Sequence, residues 1–323
     1  MIFIFTLLFS FYMGWSMGAN DAANCVGADI GSGVMKVREG IIITIFFSFL
    51  GAILLGSNVI KTIGKGVVPL DILPYDVAIL ISLTALFGAS TWVTIATYKK
   101  IPVSTSHSIV GAVAGAGLAF STPIYWYKIV QIVICWILTP VGSAIISFLI
   151  FPIIKFIFSL KPVKKIEKQL VIIFIYLTSA YLAFSWGAND VANATGVLIG
   201  TGRITPKLAS LIGAIAIAIG VSTWGYKVIE TVGFNIIRLS PLMTIAAEIG
   251  SSLNVHLYTH LGIPVSTSHS IVGAIWGIGL YQGIKAINLK IAKEIILTWA
   301  ITPLFSGIIS YVVTKLILIF IGG

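Results

Sequence analysis

The chain has 323 residues, of which 58% are hydrophobic and 9% charged, with a net charge of +10. A soluble globular domain carries about 25% charged residues, so this composition excludes one. The positive charge does not point to nucleic acid either, because apolar stretches of roughly 20 residues, long enough to span a bilayer, fill most of the length without the alternation of barrel strands. The expectation is an all-α polytopic protein embedded in a lipid bilayer.

In chain order, residues 1–19 are apolar and follow Met1 without a basic leader region, which predicts a retained helix rather than a signal peptide. This run ends in Gly18-Ala-Asn-Asp-Ala-Ala-Asn24, one acid and two amides at the deep end of a membrane segment. A Gly-rich turn over 27–33 and a charged loop with Lys36, Arg38 and Glu39 lead to a second span over 40–59. Residues 60–75, with Gly64, Gly66, Pro69 and Pro74, read as a loop, and 76–97 as a third span. Ile101-Pro-Val-Ser-Thr-Ser-His-Ser-Ile-Val-Gly-Ala112 comes next. The apolar run behind it, Ile109 to Phe120, is too short to cross as a straight helix and fits one arm of a re-entrant hairpin. The block from Tyr125 to Phe158 contains Pro140 and Pro152 and reads as one tilted helix or two. A linker over 161–169, rich in Lys161, Lys164, Lys165 and Lys168, is expected on the cytoplasmic side. Cys25 and Cys135 lack metal or redox spacing and read as packing residues.

The second half replays the first. Ser185-Trp-Gly-Ala-Asn-Asp-Val-Ala-Asn193 matches Ser16 to Asn24 at an offset of 169, and Gly200-Thr-Gly202 matches Gly31-Ser-Gly33 in the same register. Ile229 to Gly233 matches Ile60 to Gly64. Ile263 to Ala274 repeats the Ser/Thr/His stretch letter for letter, and Trp299-Ala-Ile-Thr-Pro303 matches Trp136 to Pro140. The chain is an internal duplication, with 1–160 as first repeat and 170–323 as second. Three spans plus a hairpin, or five spans, is odd in either case, which predicts two inverted-topology repeats with re-entrant helical hairpins. With the linker cytoplasmic, both termini are external.

Two motifs carry chemistry in each half. Asn20, Asp21 and Asn24, and likewise Asn189, Asp190 and Asn193, present hard oxygen ligands suited to sodium at an unwound helix, with ordinary helix capping or inter-helix hydrogen bonding as the alternative. Ser104, Thr105 and Ser106, and Ser266, Thr267 and Ser268, offer hydroxyls at a helix start, suited to phosphate or sulfate oxygens, the alternative being an N-cap. His107 and His269 could donate to an oxyanion, relay protons or brace the loop. Two aspartates and a phosphate near −2 would gather about four negative charges in one desolvated cavity, which calls for accompanying cations. No Lys or Arg is shared by both motifs. Glu248 is a further intramembrane acid without an acidic counterpart in the first half. It reads as an extra ion site, a symmetry breaker or a hydrogen-bonded contact.

Gly-Ala-Asn-Asp-x-Ala-Asn and Pro-Val-Ser-Thr-Ser-His-Ser, each present in both halves, resemble the signatures of the inorganic phosphate transporter (PiT) family along the length of the chain. The resemblance implies a multi-pass secondary transporter of the cell membrane, in bacteria the inner membrane, that couples phosphate uptake to a cation. It makes Asp21, Asn24, Asp190 and Asn193 ion and substrate ligands, Ser104 to Ser106 and Ser266 to Ser268 phosphate donors, and Glu248 an acid required for transport. The chain lacks the long hydrophilic central loop of the larger members. Oxygen-only ligands favour sodium as coupling ion, held by Asp21 and Asp190, while His107, His269 and Glu248 keep protons open. Sulfate as substrate, an anion channel and a homodimer also remain open, and no cofactor is expected. An enzyme would need an activated nucleophile that Ser with a nearby His does not supply.

Overall fold

The computed structural model describes residues 1–99, 103–160, 163, 166–226, 229, 239–283 and 289–321, and regular structure among them is helical. The first half contains α1 (Ile2–Gly31), α2 (Val37–Leu55), α3 (Ser57–Gly66), α4 (Tyr75–Tyr98), α5 (Thr105–Ala119) and α6 (Trp126–Ser159). The second contains α7 (Glu167–Gly200), α8 (Pro206–Gly220) with a π-helical turn over Val221–Gly225, α9 (Pro241–His260), α10 (Thr267–Gln282) and α11 (Leu289–Ile321). Among the described residues seven helices are long and apolar enough to cross a bilayer, so this is an all-α membrane protein. Ile101 and Pro102 of the first motif, Lys161, Lys164 and Lys165 of the linker, and Glu230 to Gly233 of the repeat lie outside the described residues.

Three expectations change. The helix does not unwind at the Asn-Asp signature: α1 and α7 run unbroken through 20–24 and 189–193, because the polar side chains bond to other helices and leave their own backbone ladders intact. Gly27 is therefore helical, and the turn comes later, at Gly33 with φ +77° and at Gly202 with φ +70°, the left-handed conformation glycine adopts freely. Residues 60–66, read as loop, belong to α3. Val59, Ile60 and Ile63 are buried, on a helix packed against α7, and Asn58, Lys61 and Lys65 are exposed, so a helical period is present despite the glycines. The block from Tyr125 to Phe158 is one helix, α6, with both prolines inside it.

The halves interlock. α5 packs along α11 and α10 along α6; α2 lies along α7 and α1 along α8. The approach is close enough to require glycine. A Cβ on Gly111 would sit 2.1 Å from the carbonyl oxygen of Pro303, and one on Gly273 2.2 Å from that of Pro140. Each half thus supplies the helix that covers the other half's Ser/Thr/His helix, and this exchange brings both motifs to one place.

Candidate functional site

Each Ser/Thr/His stretch opens a helix as its residue types require. Ser104 and Ser266 are N-caps in extended conformation whose side-chain oxygens accept from the backbone N–H of His107 (3.2 Å) and His269 (3.3 Å). These two serines serve their own helices, as the capping alternative held. The next two residues of each stretch divide their contacts, the threonine bonding the aspartate of its own half and the serine the asparagine of the other half. Thr105 Oγ1 donates to Asp21 (3.0 Å) and Thr267 Oγ1 to Asp190 (3.3 Å). Asn193 Nδ2 donates to Ser106 Oγ (2.9 Å), and Asn24 Nδ2 to Ser268 Oγ (2.7 Å) and to Asp21 (3.3 Å). Asn193 also reaches Thr105 at 3.4 Å, and Ser106 Oγ donates to the carbonyl of Val265, so the start of α5, in the hairpin α4–α5, meets the tip of the second hairpin, α9–α10. Asp21, Asn24, Thr105, Ser106, Asp190, Asn193, Thr267 and Ser268 therefore form one cluster.

Asn20 and Asn189 point elsewhere. Asn20 Nδ2 donates to Thr97 (2.7 Å) on α4, and Asn189 Nδ2 to Thr259 (3.0 Å) on α9 and to the carbonyl of Ile263 (3.1 Å), while Asn189 Oδ1 accepts from Val265 N–H (3.1 Å). They fix the hairpins to α1 and α7. The sequence reading missed Thr97 and Thr259, although their common offset of 162 from the motif register was available.

The histidines have a shared task. A proline inside a helix leaves the carbonyl four residues earlier without its N–H partner. For Pro303 that carbonyl belongs to Trp299, and for Pro140 to Trp136. His107 Nδ1 lies 3.0 Å from the oxygen of Trp299, and His269 Nδ1 3.2 Å from that of Trp136. A carbonyl only accepts, so Nδ1 carries the proton in both rings. Each ring also stacks on an indole, His107 on Trp136 at 3.6 Å between centroids and His269 on Trp299 at 3.5 Å, and the two imidazoles meet edge-on at 4.4 Å. Of the roles open at the outset, this geometry fits bracing.

Electrostatically the cluster is one-sided. Asp21 and Asp190 are each 1% exposed, and among the described residues the one ion pair is the distant, exposed Lys65–Asp71. Asp190 Oδ1 and Asn193 Oδ1 are buried acceptors outside any hydrogen bond of normal geometry, with the indole N–H of Trp186 beside the Asp190 carboxylate. Lone oxygen acceptors of this kind, in a site without cationic side chains, have the donor chemistry that suits a hard cation.

Glu248 lies outside this cluster. Its carboxylate accepts from Thr178 (2.5 Å) and Ser179 (3.3 Å) of α7, and Ser179 also lies 2.7 Å from Asp29 Oδ2 of α1. Asp29 and Glu248 are 0% and 1% exposed, and Asp29 Oδ1 has no partner. The one hydroxyl proton of Ser179 faces Asp29, Glu248 and the carbonyl of Ile175 at once, so hydroxyls alone cannot neutralise the pair. Asp29 was hidden in the sequence by its place in an apparent glycine turn. The signal was its helical spacing, eight residues beyond Asp21.

Residues 17–310 match the model of a phosphate transporter family. A curated protein of Pyrococcus furiosus described as a phosphate permease is 33% identical, covering 99% of this chain and 97% of its own length, and one of Chlamydia pneumoniae is 33% identical over 93% and 95%. A solved structure described as the sodium-dependent phosphate transporter superposes with a TM-score of 0.88 at 30% identity, covering 98% of this chain and 99% of that one.

Proposed function

Because the chain belongs to the phosphate transporter family, and is thus a membrane transporter rather than an enzyme, we propose that it imports inorganic phosphate together with sodium by alternating access. The observation that carries this reading is the pair of buried acceptors, Asp190 Oδ1 and Asn193 Oδ1, beside hydroxyls at two helix starts. Sodium binds the carboxylates of Asp21 and Asp190 with the amide oxygens of Asn24 and Asn193. Phosphate takes the hydroxyls of Thr105, Ser106, Thr267 and Ser268 and the dipoles of α5 and α10.

Coupling follows from a single proton per hydroxyl. Thr105 and Thr267 now spend theirs on Asp21 and Asp190. A sodium ion on each carboxylate frees these donors to turn to phosphate, and without it phosphate meets two bare aspartates and no free threonine hydroxyl. Ser104 and Ser266 support the site through the helix starts, and Asn20 and Asn189 through the hairpins. Glu248 with Asp29 is a separate cation site on the same path. The reciprocal partners of the two motifs support two matched repeats over 1–160 and 170–323; the same proposal has them inverted, joined by a cytoplasmic linker at 161–169, with external termini.

The test is uptake of labelled phosphate into proteoliposomes under an inward sodium gradient, with potassium in place of sodium, and under a proton gradient alone. Uptake with sodium only is the expected result. A second reading, proton coupling, draws on the Asp29–Glu248 pair, since two adjacent buried carboxyls can share a proton. Uptake driven by protons without sodium would select it. Transport of sulfate in place of phosphate would keep the fold and overturn the substrate.

A further inference from the structure

We propose that His256 and His260 form a binding site for a borderline divalent transition metal, of which zinc is the probe, at the tip of the second hairpin. The two histidines are four residues apart on the last turn of α9, on one face of the helix, and their Nε2 atoms are 2.8 Å apart. That contact is a hydrogen bond in which one Nε2 carries the proton, and moving that proton to Nδ1 frees both Nε2 lone pairs. Two imidazole nitrogens about 2.0–2.1 Å from one tetrahedral ion stand about 3.3 Å apart, so the rings need open only about half an ångström to become ligands of one metal. The His256 ring is held against Tyr181 (5.6 Å between centroids) and Phe184 (6.1 Å) of α7, while His260 is exposed.

α3 brings polar groups to this place. The carbonyl of Gly262, two residues beyond His260, accepts from Thr62 Oγ1 at 2.6 Å, and the neighbouring Asn58 and Lys61 are exposed on the polar side of that helix. The duplication sharpens the point. At the offset of 162, His256 and His260 correspond to Thr94 and Tyr98, and Thr94 shares a 2.7 Å hydrogen bond with Tyr12. Tyr12 corresponds to Tyr181 at the offset of 169, so the Thr94–Tyr12 pair stands where His256 meets Tyr181 and Tyr98 stands where His260 does; the first half builds this place without histidine. Water completes the coordination. Nδ1 of His256 is buried without an acceptor, so the outer-shell brace of tight sites is missing and affinity falls about 10- to 100-fold below theirs.

A bound ion would also stiffen the turn that carries Thr259, the partner of Asn189. This consequence for transport rests on the proposed uptake activity, but metal binding does not. The experiment is calorimetric titration of the purified full chain with zinc, repeated for His260→Ala and His256→Ala, with cobalt absorption in the visible as a second signal. One zinc per chain, lost in both variants, is expected; His260 is exposed, so its removal leaves packing unchanged. No binding to the native chain, or equal binding to His260→Ala, overturns the site. In proteoliposomes zinc should slow phosphate uptake by the native chain and not by His260→Ala. Binding without any slowing would overturn the stiffening effect alone.

Discussion

The central cluster is built twice, whereas the Asp29–Glu248 cluster is built once. In the register that relates the halves, Asp29 corresponds to Leu198, Glu248 to Leu86 and Ser179 to Ser10. Leu86 and Leu198 are fully buried, and Ser10 donates to the carbonyl of Ala194 at 2.7 Å. One location is therefore polar and acidic, its twin apolar and closed. Under the proposed inverted repeat, a site made of matched halves looks alike from both sides of the membrane and cannot by itself distinguish them, whereas the unmatched acid pair can.

Four measurements would break or sharpen this contrast. Asp21→Asn and Asp190→Asn should each lower sodium-driven uptake about 100-fold, the loss expected when one member of a buried charged set is removed. Equal losses support a twinned centre, and a large loss in only one would break it. His107→Ala should destabilise the protein by about 1–3 kcal/mol, since it orphans the Trp299 carbonyl. Adding Pro303→Ala should recover part of that, because the carbonyl regains an N–H within α11, and thermal unfolding of the single and double variants tests the coupling. Glu248→Gln should raise the sodium concentration for half-maximal uptake about tenfold, roughly 1.4 kcal/mol, with Leu86→Gln at the twin position leaving it unchanged. Unchanged sodium dependence in Glu248→Gln would remove the acid pair from the ion path. The smallest effect is expected from Ser104→Ala and Ser266→Ala, about 1 kcal/mol each in unfolding as lost caps. A collapse of phosphate affinity instead would show that these oxygens leave the cap to bind substrate.

The duplication, the two motifs and the short α5 were legible because identity, spacing and run length are local properties of the chain. Continuity of α1 through Asn20–Asn24 was not, since whether a polar side chain unwinds its helix depends on partners such as Ser268, 244 positions away. α3 was masked by glycines and Pro69, which signal turns even where buried isoleucines hold a helix together by packing on another element. The histidines were hardest to read. Their partner is a carbonyl vacated by a proline in the opposite half, a vacancy that sequence shows at Pro140 and Pro303 but whose occupant only the fold reveals. Asp29 and Glu248 lie 219 positions apart and meet only through the packing of α1, α7 and α9.

The mutual cover of α5 by α11 and α10 by α6 also bears on how the molecule is made. As the chain leaves the ribosome, α5 enters the membrane about 170 positions before the segment that will sheathe it. Its glycine face must wait through the synthesis of the whole second half, and contacts so distant along the chain are slow to form. Neither half can reach its final packing alone. A bare first repeat should be taken up by membrane quality control, while two separately encoded halves made in the same cell should find one another and restore the assembly.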